Sequence, residues 1–239
     1  MIAQRQTLIE NKFGISKTIF NFEKQSALNM SNHEEQLNAL SDIRKIMDRS
    51  SRFISLSGLS GVFAGLVALV GAYLAHQEIE NFSKGAYGYG VDAEWEIEAN
   101  LVKLGLTVMV VAFVGGLLFT LRQSRKRKLP FWDKTSRTLL INLAIPLATG
   151  GFFILALLFN NVGSYALVAP ACLLFYGLAL VNASKYTYTD IRFLGIFEII
   201  LGIIALFNIG YGLYFWAFGF GILHIFYGLI MYFKYERAK

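Results

Sequence analysis

Six stretches of the chain are apolar for long enough to cross a lipid bilayer, and charged residues gather mainly between them. A helix spanning a hydrocarbon core of about 30 Å needs about 20 residues at about 1.5 Å each. The stretches run approximately from Phe53 to Ala75, Leu101 to Leu121, Thr138 to Phe159, Ser164 to Ala183, Phe193 to Ile209 and Leu213 to Phe233, the fifth being the shortest. They predict an all-α polytopic membrane bundle over residues 53–239, preceded by an N-terminal region of residues 1–52. Within that region Ser31 and Glu34 form a capping-box start. Leu37, Leu40, Ile43 and Met47 then recur at helical spacing opposite charged residues. This pattern predicts an amphipathic helix over 31–50, whose apolar stripe must be covered by the bundle, the bilayer surface or a partner protein.

Charge adds an orientation. Lysine and arginine accumulate on cytoplasmic flanks of membrane helices. Arg44, Lys45, Arg49 and Arg52 precede the first span, and Arg122, Arg125, Lys126, Arg127, Lys128, Lys134 and Arg137 follow the second. Lys185 and Arg192 lie between the fourth and fifth, and Lys234, Arg237 and Lys239 follow the sixth. With six spans all of these fall on one side, leaving only Lys84 and Lys103 for the other. The first loop on that other side is acidic, with Glu78, Glu80, Asp92, Glu94, Glu96 and Glu98. Both termini are therefore expected in the cytoplasm. Trp132, Trp216, Tyr186, Tyr211, Tyr214 and Tyr235 fall near span ends, where amphipathic rings favour the headgroup level.

Composition agrees with a bilayer-resident chain. Of 239 residues 55% are hydrophobic and only 16% charged, against about 25% in soluble domains. The net charge of +6 sits beside apolar runs, which makes it a topology signal and argues against nucleic acid as a partner. A single cysteine, Cys172, excludes an intramolecular disulfide and a thiolate zinc site. The first 25 residues lack a continuous apolar stretch and a small-residue cleavage site, so insertion is expected to use the first span.

Small residues suggest where helices meet. Ser57, Gly61 and Gly65 repeat every four residues, a stripe that lets another helix backbone approach, either within the bundle or in a homo-oligomer. Pro146 and Pro170, near the middles of the third and fourth spans, are candidate kinks. Broken helices often line transporter sites, although prolines are also common in membrane helices generally. Two hairpins share strings: Leu158-Phe159-Asn160, Phe175-Tyr176-Gly177-Leu178 and Lys185-Tyr186, then Leu206-Phe207-Asn208, Phe226-Tyr227-Gly228-Leu229 and Lys234-Tyr235. Chance and a duplicated hairpin both account for them.

Two ionisable residues interrupt the last spans, Glu198 in the fifth and His224 in the sixth. Counted from the turn around Gly210, both lie about 18 to 21 Å along their helices, so they are expected to meet. A carboxylate touching an imidazole can share a proton, as a relay or pH sensor requires, or can fix a hairpin by a hydrogen bond. Gly221 and Gly228, either side of His224, allow a neighbouring helix to approach and favour burial. Tyr87-Gly88-Tyr89-Gly90-Val91-Asp92 superficially resembles a potassium-channel filter but lacks a preceding apolar pore helix, so it reads as a flexible turn. No phosphate-binding glycine loop, metalloprotease helix motif or nucleophile elbow occurs, and His33, His76 and His224 are widely scattered. No catalytic residue, cofactor or metal is expected.

Arg49-Ser50-Ser51-Arg52-Phe53, followed by Ser55, Ser57, Gly58 and Gly61, resembles the start of the first span in a group of uncharacterised bacterial six-helix membrane proteins. That resemblance implies a bacterial inner-membrane location and carries no activity. Three functional readings follow. The first is a non-catalytic sensor or scaffold that presents residues 31–50 and the basic loop to a cytoplasmic partner or anionic lipid. The second is a small proton-coupled transporter or channel built on Glu198 and His224. The third is a lipid-modifying membrane enzyme, for which no catalytic set is present.

Overall fold

A computed structural model describes residues 56–88, 90–128, 132–159 and 165–237, together with Gln36, Leu40 and Ile43. The chain divides into two units, Met1–Ser51 and Arg52–Lys239. In the first, the three described residues are helical. The remainder of the expected helix at 31–50, and residues 49–53 and Ser55 of the stretch that carries the resemblance, lie outside the described residues.

The second unit is built of helices, with no strand among the described residues. They are α1 (Gly58–Ser83), α2 (Val91–Lys126), α3 (Lys134–Phe159), α4 (Tyr165–Ala183), α5 (Asp190–Phe207) and α6 (Gly212–Arg237). A single 3₁₀ turn, Ser184–Tyr186, extends α4, and α6 passes through π-helical turns at Ala217–Leu223 and Tyr232–Arg237. Five of the helices are long and apolar enough to cross a membrane, as in a multi-pass membrane protein. The other is α5, the shortest of the expected spans. Its 18 residues reach about 27 Å and include Asp190, Arg192 and Glu198. It thus holds three charged residues within the least length.

The expected span limits fall short at one end of the molecule. Residues 76–100, read from their charges as an acidic loop, are mostly helix: α1 continues to Ser83 and α2 begins at Val91. At 36 residues α2 is about 54 Å long, well beyond a hydrocarbon core. Helix propagation explains this, because each added residue gains a backbone hydrogen bond whether its side chain is apolar or acidic. Ala93 and Ile97, one turn apart, are buried in this extension. A turn closes the hairpin, where Gly85, Gly88 and Gly90 take positive φ and the Tyr87 hydroxyl donates to Glu78. The glycine-tyrosine string is thus a turn between two helices; Tyr89 lies outside the described residues.

In cross-section α6 is the centre. One side of it packs against α1, which carries α2 on its own flank; other faces meet α4 and α5, and α3 leans on α4. The α1/α6 seam is where the small-residue stripe lies. A Cβ added at Gly65 would stand 2.6 Å from the Gly221 carbonyl oxygen, and one at Gly61 would stand 3.2 Å from the Gly228 Cα. Gly61 and Gly65 are thus occupied by a helix of the same chain. Ser57, at the head of the stripe, is buried. The α4/α5 seam repeats the device, with Gly177 and Gly195 facing each other. Both Phe-Tyr-Gly-Leu strings therefore place their glycine at a close helix crossing.

Pro146 sits midway along an unbroken α3, whereas Pro170 is the sixth of the 19 residues of α4, in its second turn. Proline lacks the N–H that would bond the carbonyl four residues back, so Pro146 frees the Asn142 carbonyl. The Asn182 side-chain amide of α4 donates to that oxygen at 2.9 Å and to Asn142 Oδ1 at 3.2 Å. A neighbouring helix thus restores the missing bond, as membrane interiors demand.

Polar contacts tie the helix ends on the basic side. The Arg127 guanidinium donates to the Tyr188 hydroxyl at 2.9 Å and to the Tyr235 carbonyl at 2.5 Å. Asp190, in the first turn of α5, accepts from Lys234 at 3.0 Å and from the Tyr235 hydroxyl at 2.6 Å. Glu236 accepts from the Gly58 amide, placing a carboxylate at the N-terminus of α1, where helix dipole and free amide both favour it. Asp133 caps α3 through the Ser136 amide at 2.7 Å and hydroxyl at 2.6 Å.

Candidate functional site

Glu198 is the ninth of 18 residues in α5, and His224 is the thirteenth of 26 in α6. Both are therefore central in their helices. Helix α5 turns Ile191, Leu194, Gly195, Glu198, Gly202 and Ala205 into the bundle, a three- and four-residue spacing that carries Glu198 inward with the apolar positions. Small neighbours make room for it. Gly219 lies so close that an added Cβ would collide with Glu198 Oε2. Glu198 is 0% exposed and His224 6%.

The two side chains meet, with His224 Nδ1 3.4 Å from Glu198 Oε1. His224 also makes two shorter contacts, to the Gly219 carbonyl from Nδ1 at 3.0 Å and to the Tyr176 hydroxyl from Nε2 at 2.7 Å. A carbonyl oxygen can only accept, so Nδ1 carries a hydrogen. In the neutral ring Nε2 is then the acceptor of the Tyr176 O–H. Gly219 lies in the π-helical turn Ala217–Leu223, which ends just before His224, and π turns frequently occur at functional sites. Phe220 packs beside both rings, 4.9 Å from Tyr176 and 5.7 Å from His224, and Trp216 lies 5.1 Å from Phe220.

Neither carboxylate oxygen of Glu198 has a hydrogen-bond partner. The Nδ1 hydrogen points at Gly219, so the contact at 3.4 Å is electrostatic. A lone buried charge with no donor is costly, whereas two arrangements here are net neutral: acid with neutral imidazole, or carboxylate with imidazolium. Removing one proton from either leaves a net charge in an apolar core. The two groups therefore titrate as a unit.

The residues singled out by sequence divide into three places. Glu198 and His224 come together; Gly61, Gly65, Gly221 and Gly228 form the adjoining α1/α6 seam; Pro146 belongs to the α3/α4 contact. Pro170 is buried, and a Cβ on Gly212 at the start of α6 would lie 3.8 Å from its ring. Two members of the site were not found from sequence. Tyr176 lay unremarked inside the repeated Phe-Tyr-Gly-Leu string, and the Gly219 carbonyl is a backbone group without a sequence signature. Among the described residues no group of three or more histidine, cysteine, aspartate or glutamate side chains is placed to hold a metal ion. Comparison of the chain with protein-family models, with curated proteins and with solved structures finds no match.

Proposed function

We propose that this chain is a non-enzymatic, proton-responsive membrane protein whose sensing element is the Glu198 and His224 pair. The observation that carries this reading is the Glu198 carboxylate, fully buried and without a hydrogen-bond donor on either oxygen. A glutamate kept only to fix the hairpin would be expected to accept a hydrogen bond; an isosteric glutamine or a leucine would be cheaper in an apolar core. A group whose chemistry is to gain and lose a proton explains the cost. Protonation changes the net charge between α5 and α6, and α6 runs from this pair to the Lys234, Tyr235 and Glu236 contacts with α5, α2 and α1. The signal then reaches the basic side, where residues 31–50 and the basic loop meet a cytoplasmic protein or anionic lipid. Six spans with both termini cytoplasmic, in a bacterial inner membrane, complete the reading. The charge asymmetry supports the orientation, and the resemblance of residues 49–61 supports the location.

Trp216 provides the test, because it touches Phe220, which stacks on His224. With Trp95 and Trp132 replaced by phenylalanine, its emission in lipid nanodiscs should change between about pH 5 and 8 and stay constant after Glu198→Gln. A pH-independent emission in the parent would overturn the reading. The π-helical break in α6 favours a second one, a proton-coupled carrier. Proton flux into vesicles that is abolished by Glu198→Gln with His224→Ala would identify it.

A further inference from the structure

We propose that the end of α2 and the start of α3 bind an anionic phospholipid, with Arg122, Arg125, Lys126, Lys134 and Arg137 on its headgroup and the apolar sides of the same helices along its acyl chains. This names the partner of the basic loop in the reading above and rests on that reading's membrane placement, not on the titration of Glu198. The side of α2 that turns into the bundle is polar and closed. Thr120, Gln123 and Ser124 are buried there, and Arg127 is held by the Tyr188 hydroxyl and the Tyr235 carbonyl. Arg122, Arg125 and Lys126, at three- and four-residue spacing, are exposed on another side, as are Lys134 and Arg137 in the first turn of α3. None of these five side chains has a hydrogen-bond or ion-pair partner among the described residues. Asp133, the only acid between Arg122 and Arg137 in the sequence, is occupied in capping α3.

Depth separates lipid from a soluble protein as the partner. Arg122 follows the apolar run of α2 directly and Arg137 directly precedes that of α3, so all five basic residues lie within about 8 Å of the runs. That is the depth of a headgroup layer. Each basic stripe also continues as an exposed apolar stripe on the same helix face. Val114 and Leu118 stand eight and four residues before Arg122, and Ile141 and Ile145 stand four and eight after Arg137. An anionic head above hydrocarbon tails fits that succession of surfaces, whereas a water-soluble partner fits only its basic part. Helices α2 and α3 pack on α1 and α4 but not along each other, which leaves these faces to lipid. Trp132, between the two stripes in sequence, is 64% exposed, as suits a ring at headgroup level. Lys128 takes positive φ just past α2, where glycine is usual and less strained, so a charge is kept there against the backbone preference.

The experiment places the full chain, with Trp132 as its sole tryptophan, in phosphatidylcholine nanodiscs that contain a small fraction of either brominated phosphatidylglycerol or brominated phosphatidylcholine. Bromine quenches indole on contact, so the quenching reports which lipid gathers at Trp132. The proposal predicts phosphatidylglycerol enriched by roughly 5-fold for each basic side chain it engages. At about 1 M salt, where the Debye length is about 3 Å, most of that excess should vanish. With Trp95 as the sole tryptophan, set among Glu94, Glu96 and Glu98, no excess is expected. Arg122→Gln, Arg125→Gln, Lys126→Gln and Arg137→Gln together should abolish the excess at Trp132. Equal quenching by the two lipids at Trp132 would overturn the proposal and leave the basic loop to a soluble protein; an equal excess at Trp95 would overturn it as well. Should the fourfold variant fail to fold, the parent decides alone, and an excess untouched by salt overturns the proposal. None of these readings involves Glu198, whose own test is the pH response of Trp216.

Discussion

At the scale of single residues, the account turns on what surrounds Glu198. His224 Nδ1 lies 3.4 Å from its carboxylate, with the Tyr176 hydroxyl on the far side of the imidazole. Removing one member of a buried ion pair is far costlier than removing both, because the survivor keeps its desolvation penalty. His224→Ala should therefore lower unfolding stability in detergent by about 3–5 kcal/mol. Glu198→Gln with His224→Ala should be less destabilised than His224→Ala alone. Thermal melts of the four members of the cycle check this; additive losses would mean that the side chains do not interact. Glu198 and His224 were legible in the sequence because ionisable residues stand out in apolar runs and equal distances from one turn imply equal depth. Tyr176 was not, since tyrosine is ordinary in membrane helices and only the fold brings its hydroxyl to Nε2.

At the scale of helices, contacts depend on replacing what sequence features remove. Pro146 deprives the Asn142 carbonyl of its partner and Asn182 supplies one from α4. Asn182→Ala should therefore cost about 1–2 kcal/mol of stability. In a Pro146→Ala background, where the backbone N–H returns, the same change should cost less. A cycle in which Asn182→Ala costs the same in both backgrounds would contradict the compensation. The prolines were visible in the sequence, but whether each bends its helix was not, because the answer lies in an amide from another helix. The reach of α1 and α2 beyond the apolar runs was missed for a related reason. Hydropathy marks where a helix leaves the hydrocarbon, not where its backbone hydrogen bonds stop.

For the whole molecule, the sequence carried the helical class and the run of apolar segments directly, since length and hydropathy are bulk quantities. Relative packing was less readable: the stripe Ser57, Gly61 and Gly65 marked a close crossing, yet only the fold assigns α6 as the occupant at Gly61 and Gly65. Orientation follows from charge and is directly testable. With Cys172 replaced by serine, a cysteine introduced at Gly88 should react with a membrane-impermeant maleimide from outside intact cells. One introduced at Lys128 should react only after permeabilisation. The reverse pattern would invert the topology and with it the side on which the signal emerges.

The central claim is that Glu198 binds and releases a proton inside the bundle. Difference infrared spectroscopy of the chain in nanodiscs, recorded between about pH 5 and 8, observes this directly through the carbonyl stretch of a protonated carboxylic acid. The account predicts a carboxylic acid band that grows on acidification in the parent and is absent from Glu198→Gln. A spectrum in which the two proteins show the same carboxylic acid changes would contradict it.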